Sequence, residues 1–302
     1  MDEWIDEVIE YDGLILRDRA LGRGVDPDQI MKALRTGRIR RVQRCVYVRR
    51  GLEPAPLALA RAAVLSSGVT DAVASHQTAA RVHGMVVPGG LQPEHITVAR
   101  DMRRIRRREL VCHGRALARG DVEVRDGVPI TTAVRSLLDM VAEVPRLDGV
   151  WAIDDAVRRE IVSEAQITAS LITRPGGRGD GVIKLRAAEA DGRAESILET
   201  AGRLALKDAG VMLPIAQHEV FDGGDLVARL DAAYPERRLG IEFDGAAVHN
   251  APRALYRDRQ RQNRLLHLGW SLLRFTWWDV VHDPVGYVAA VRRELERQRS
   301  WS

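Results

Sequence analysis

Apolar residues open the chain at helical spacing: Trp4, Ile5, Val8 and Ile9 predict a first helix that Gly13 ends. Residues 14–21 (LILRDRAL) predict a short second helix closed by Gly24. Asp26-Pro27-Asp28 offers an N-cap with proline at the first helical position. The third helix carries Ile30, Met31 and Leu34 and stops at Gly37. From Arg38 to Val48 apolar and basic residues partly alternate, which predicts a strand, a turn and a strand. After Pro54 and Pro56 the pattern predicts helices over 57–66 and 74–84, then strands over 94–98, 110–113 and 122–124. A further helix runs from the Pro129–Thr132 cap through Leu137, Leu138 and Val141. Residues 171–192 carry a Pro/Gly-rich break that reads as a linker. Beyond it the order is helix 194–209, strands 215–221, 226–233 and 239–243, helix 252–268, strand 270–275 and helix 284–297.

One stretch departs from an ordinary apolar alternation. Between Leu230 and Asn250 two short strands flank a turn at Pro235–Arg238, and equal distance from that turn pairs Asp231 with Glu242. Paired residues have Cβ atoms about 4.5–5.5 Å apart. Asp244 shares the face of Glu242 because side chains alternate with period two. Three carboxylates on one face of an otherwise apolar hairpin (Leu230, Leu239, Ile241, Phe243) stay ionised together only if a cation joins them. The stretch alone leaves two readings open: a divalent-metal site, or a solvated hairpin edge with surface acids.

Composition narrows the class. The 302 residues are 45% hydrophobic and 29% charged, which suits a globular protein of two or three domains. All but three of the 46 basic residues (Lys32, Lys184, Lys207) are arginine, the side chain suited to bidentate phosphate contact. The sequence pI is about 9.4, although the formal net charge is only +4. Two cysteines, Cys45 and Cys112, make neither a disulfide framework nor a structural zinc site, and suggest a reducing compartment. The acidic N-terminus lacks the pattern of a signal peptide, and no stretch approaches the roughly 20 apolar residues of a membrane span. A cytoplasmic protein is expected.

Other candidates weigh less. His76 and His83, seven residues apart, fall on one face of their helix, but with no third ligand near in sequence they read as packed side chains. Arg100, Arg103, Arg104, Arg106, Arg107 and Arg108 form the densest basic run, read first as a solvated loop and second as a phosphate or RNA patch.

Three helices followed by a basic hairpin make the winged-helix layout, and residues 6–50 resemble the N-terminal winged-helix domain of type IV abortive-infection antitoxins. VPITTAVRSLLDM resembles that family's middle region. The resemblance implies DNA binding, often at the protein's own promoter, and a cognate toxin or a second copy as partner. Arg35, Arg38, Arg40, Arg41 and Arg44 are the expected phosphate contacts. Cys45 stands where that family usually has Gly.

Residues 191–297 resemble the very-short-patch-repair (Vsr)-like branch of the PD-(D/E)xK nucleases. The matching residues are Glu195, Asp231, Glu242-Phe243-Asp244-Gly245, His249, the run Asp258–Asn263 and LGWSLLRFTWWDVV. That resemblance implies Mg2+- or Mn2+-dependent hydrolysis of DNA phosphodiesters, with Asp231 and Glu242 as principal metal ligands and Glu195 adding a carboxylate. Arg261 and His249 would stand near the phosphate, and Arg257, Arg261 and Arg264 would share a DNA-facing helix face. Two departures stand out: Asp244 holds the place of the superfamily's lysine, and Gln262 replaces a frequent acid.

The expectation is therefore an α+β chain: a winged helix (1–52), an α+β middle region (57–170), a linker (171–190) and a restriction-endonuclease-like α-βββ-α-β core (191–302). Its expected function is metal-dependent DNA cleavage targeted by the N-terminal module. The competing reading is a transcriptional regulator or antitoxin whose nuclease fold is catalytically silent.

Overall fold

The computed structural model describes residues 3–89, 93–99, 105–173, 179–244 and 252–299. In chain order these form α1 (Glu3–Val8), β1 (Leu14–Leu16), α2 (Arg17–Gly22), α3 (Pro27–Arg35), β2 (Ile39–Gln43), β3 (Val46–Arg49), α4 (Pro56–Ser67), β4 (Val73–Ala74), α5 (His76–Val82), β5 (Glu94–Val98), β6 (Arg106–Arg107), β7 (Leu110–Gly114), β8 (Val122–Arg125), β9 (Val128–Thr131) and α6 (Ala133–Val141). There follow α7 (Arg146–Arg158), α8 (Glu164–Thr173), α9 (Asp180–Glu189), α10 (Ile197–Asp208), β10 (Ile215–Asp222), β11 (Asp225–Tyr234), β12 (Leu239–Asp244), α11 (Pro252–His267), β13 (Ser271–Thr276) and α12 (Pro284–Arg299). The chain divides into two compact units, residues 1–144 with 161–183, and residues 145–160 with 184–302.

The first unit holds two sheets. A three-stranded one has the order β1-β3-β2. It packs with α1–α3 around Trp4, Ile5, Val8, Ile15, Ile30, Ile39 and Tyr47. The helix expected over 14–21 starts only at Arg17. Leu14 and Ile15 are fully buried, and Leu14–Leu16 pairs antiparallel with Val46–Val48, so burial on a strand outweighs the helical reading of LILRDRAL. Helix α3 starts as its sequence indicates. Asp26 Oδ1 accepts from the Asp28 amide at 2.7 Å, and the Asp26 amide donates to Gln29 Oε1 at 2.8 Å. Cys45, at the β2–β3 turn, has φ +62°, a left-handed conformation that glycine takes without strain. A six-stranded mixed sheet, β6-β7-β5-β4-β9-β8, forms the rest of this unit with α4–α6, α8 and the start of α9. Pro129–Thr131 lies in β9, and Thr132 alone stands at the N-cap position of α6, without a side-chain capping bond.

The second unit is a four-stranded sheet of order β10-β11-β12-β13, antiparallel except for the last pair. Its core gathers Leu198 and Leu206 of α10, Tyr234, Leu239 and Ile241 of the strands, and Tyr287 and Val291 of α12. Residues 145–160, read from sequence as part of the middle region, pack in this unit. Helix α7 buries Val150, Ala152, Ile153 and Ala156. Its Asp154 accepts from the Asp191 amide at 2.6 Å, Thr200 Oγ1 at 2.7 Å and Arg203 Nη2 at 2.8 Å. The segment expected as a linker contains α9, whose Glu189 pairs with Arg146 of α7 at 2.7 Å. Local glycine content gave no sign of those ion pairs.

Candidate active site

Strand β11 ends in the turn at Pro235–Arg237, where Arg238 takes a left-handed conformation at φ +44°. The register across the turn is Ala232↔Ile241, Ala233↔Gly240 and Tyr234↔Leu239. Continued by one residue, it sets Asp231 against Glu242. Gly240 permits this close pairing, since a Cβ there would come within 2.8 Å of Leu230 and 2.9 Å of Leu272. Asp231 Oδ2 accepts from the Phe243 amide at 2.8 Å. Burial, with Glu199, Glu242 and Glu195 adding negative charge, pushes the Asp231 carboxyl up to about 6 despite that amide.

Glu242 is buried and held by two arginines. Arg274 Nε donates to its Oε2 at 2.9 Å. Arg261 Nη2 lies 2.9 Å from Oε1, but off the direction of a hydrogen bond, so Oε1 is ion-paired without one. Asp258 completes the network, 2.9 Å from Arg261 and 3.5 Å from Arg274. Such a buried charge is tolerable only because it is paired.

The other residues named from sequence scatter. Glu195 precedes α10 instead of lying in it, is exposed, and pairs with Arg229 at 2.8 Å. Asp244 ends β12, exposed, opposite Thr276. Arg264 reaches Asp222 at 3.3 Å. His249 and the side chain of Arg257 lie outside the described residues. Asp231, Glu242 and Glu195 are not drawn into one tight set of oxygen atoms. Among the described residues, His76, His95 and His113 alone bring three ligand atoms within 4.8 Å of one another. In the first unit Arg35, Arg38, Arg40, Arg41 and Arg44 are exposed, with Arg40 paired to Glu53 at 2.9 Å.

Two participants escaped the sequence reading. Glu199, in the first turn of α10, is buried and adds negative charge beside Asp231. It accepts from the Glu195 amide at 2.9 Å, Ser196 Oγ at 2.8 Å and Gln217 Nε2 at 2.8 Å. Its signal was the Ser196-x-x-Glu199 spacing, which reads as a capping box and so as structure. Arg274 sits opposite Glu242 in the parallel β12–β13 pair. A charged residue inside the apolar run Ser271–Thr276 was its only mark.

Residues 223–295 match REase_MTES_1575, a restriction endonuclease-like family. The C-terminal domain is thus restriction-endonuclease-like, and the match spans β11, β12, α11 and β13. Two uncharacterized proteins of Mycobacterium tuberculosis strains, MT2308 and Rv2248, are each 29% identical over 190 residues, 63% of this chain and 69% of theirs. The crystal structure of RV2827C protein from M. tuberculosis overlaps 74% of this chain and 89% of its own at 15% identity, with a TM-score of 0.40.

Proposed function

We propose that the chain is a divalent-metal-dependent DNA endonuclease, with Asp231 and Glu242 as the metal ligands. The observation that carries this reading is the crowding of Asp231 with Glu199, Glu242 and Glu195, which helps to push its carboxyl up to about 6. So much negative charge in one partly buried place favours a cation. The ligand chemistry supports Mg2+ or Mn2+, which take hard oxygen donors and leave positions to water and phosphate. When bound, such an ion supplies an activated water and neutralises charge on the phosphate.

The chain's own groups do the positioning. The Phe243 amide fixes the Asp231 carboxylate at 2.8 Å. Arg261 stands 2.9 Å from the buried Oε1 of Glu242 and, in this reading, would contact the scissile phosphate. Arg274, locked to Oε2, takes the cationic role that Asp244 cannot. Glu195 and Glu199 complete the acidic rim. His249 stands as a further phosphate or proton partner on sequence grounds. The N-terminal helices and hairpin act as a winged-helix DNA-binding module, with the exposed arginines 35, 38, 40, 41 and 44 on phosphates.

The test is nicking of supercoiled plasmid with Mg2+ or Mn2+, beside an Asp231→Ala, Glu242→Ala double variant. The expected result is cleavage by the natural chain and a loss of about 100-fold or more in the variant. Cleavage that survives the double substitution removes the assignment. Cleavage by neither protein, with salt-sensitive operator binding, turns the reading to a regulator.

A further inference from the structure

A second cluster lies in the first unit, remote in sequence from the acids. His76 opens α5, His95 stands on β5 and His113 on β7. One ring nitrogen from each lies within 4.8 Å of the others. His95 Nδ1 is 2.9 Å from His113 Nε2. The rings of His76 and His113 stack with centroids 3.7 Å apart. Local sequence could not disclose the group, because strand pairing assembles it: Thr97 of β5 faces His113 of β7 in a parallel register. His83, its apparent partner in sequence, instead contacts the Thr131 carbonyl at 2.8 Å.

We infer that His76, His95 and His113 form a three-histidine site for Zn2+ or a similar borderline divalent ion. Three features of the surroundings support it. His76 is fully buried, and its Nε2 has no hydrogen-bond partner. A buried polar atom left unmatched costs about 1–3 kcal/mol, and a metal bond to its lone pair removes that cost. Two of the rings have a polar neighbour at the outward nitrogen, the kind of outer partner that metal-bound histidines use. His76 Nδ1 is 2.9 Å from Ser75 Oγ, itself 2.8 Å from Thr97 Oγ1, and His113 Nδ1 is 3.7 Å from Glu143 Oε1. Finally, His76 holds a left-handed φ of +50°, a strained conformation of the kind functional sites retain.

The ligand chemistry selects the ion. Imidazole nitrogens suit Zn2+ and its neighbours, not Mg2+. With Zn–N bonds of about 2.0–2.1 Å, sharing one ion requires the stacked His76 and His113 rings to turn until their nitrogen lone pairs converge. Three protein ligands leave a fourth position. The group borders a cleft of about 820 Å3 lined by His95, His113, Gln77, Cys112, Arg115 and Glu143, so water or a small ligand takes that position.

The full chain, stripped with a chelator and dialysed, is titrated with Zn2+. X-ray absorption at the zinc edge then reads the ligands. One ion per chain is expected, bound through imidazole nitrogens. His113→Gln, at a partly exposed ring, weakens binding by more than about 100-fold, beyond the loss of an outer partner. The Asp231→Ala, Glu242→Ala double variant binds Zn2+ unchanged, which separates this site from the nuclease carboxylates. No Zn2+ uptake, oxygen-only coordination in the natural chain, or full binding by His113→Gln overturns the inference. The spectrum of the natural chain decides the matter even where a variant fails to fold.

Discussion

Asp231 carries a charge its surroundings oppose, and that gives its substitution a sign. The folded carboxyl titrates at about 6, above its ordinary 3.8, so between those values the folded state holds more proton than the unfolded one. The stability this group contributes is full below about pH 4 and is lost as pH rises through about 6. Asp231→Asn keeps an acceptor for the Phe243 amide and removes the ionisation. A tenfold difference in proton affinity between the two states is worth about 1.4 kcal/mol. With solvent screening of a partly buried group, the substitution should stabilise the metal-free chain by about 1–2 kcal/mol at pH 7.5. Near pH 4 the gain should vanish. Urea melts at the two pH values check this, and equal or lower stability of the variant at pH 7.5 refutes it. The strand acids were legible because period two and a turn fix them. Glu199 was not, because α10 begins at Ile197, which leaves Glu195 outside the helix and gives the inward place to the capping acid. Arg274 was hidden for another reason: its pairing with Glu242 crosses the whole of α11.

Helix α10 meets the site strand at Gly202. A Cβ there would lie 2.5 Å from Phe243 Cζ and 3.0 Å from the Tyr287 hydroxyl. Alanine gains about 1 kcal/mol of helix propensity over glycine, whereas overpacking a core costs about 1–3 kcal/mol. Phe243 is fixed in β12 between Glu242 and Asp244, so the cost should win. Gly202→Ala should destabilise the chain by about 1–2 kcal/mol and lower cleavage, since Phe243 also supplies the amide that holds Asp231. Gly181, in α9 with nothing within 4 Å of an added Cβ, is the control. Gly181→Ala should stabilise by about 0.5–1 kcal/mol. Denaturant midpoints of the pair test the contrast, and a neutral Gly202→Ala would mean that Phe243 yields. The same contrast explains what was readable at this scale. The elements from α10 to α12 announce themselves through strong periodicity, caps and glycine stops. The strand at Leu14–Leu16 and the membership of α7 depend on partners far along the chain, Val46–Val48 for one and Thr200 with Arg203 for the other.

At the scale of the molecule, the charge balance decides how DNA binding should respond to salt. The net formal charge is only +4, so under the proposed function the chain as a whole should attract DNA weakly and affinity should fall to local patches. Arg35, Arg41 and Arg44 are exposed on the α3–β2–β3 face, while Arg40 is paired with Glu53 at 2.9 Å. Removing one arginine that neutralises a phosphate should reduce the slope of log affinity against log salt by about 0.9. Arg41→Ala and Arg44→Ala should each show that reduction on a short duplex of any sequence, measured by fluorescence anisotropy between about 50 and 200 mM salt. Arg40→Ala should change the slope less, because its charge is already spent on Glu53. The Asp231→Ala, Glu242→Ala double variant should keep the natural slope or bind slightly tighter, since it removes negative charge and leaves every basic side chain in place. If instead the hairpin variants bind like the natural chain and substitution of Arg261 or Arg264 flattens the slope, DNA is held by the nuclease helix alone. The N-terminal arginines would then be the solvated face that composition by itself allows.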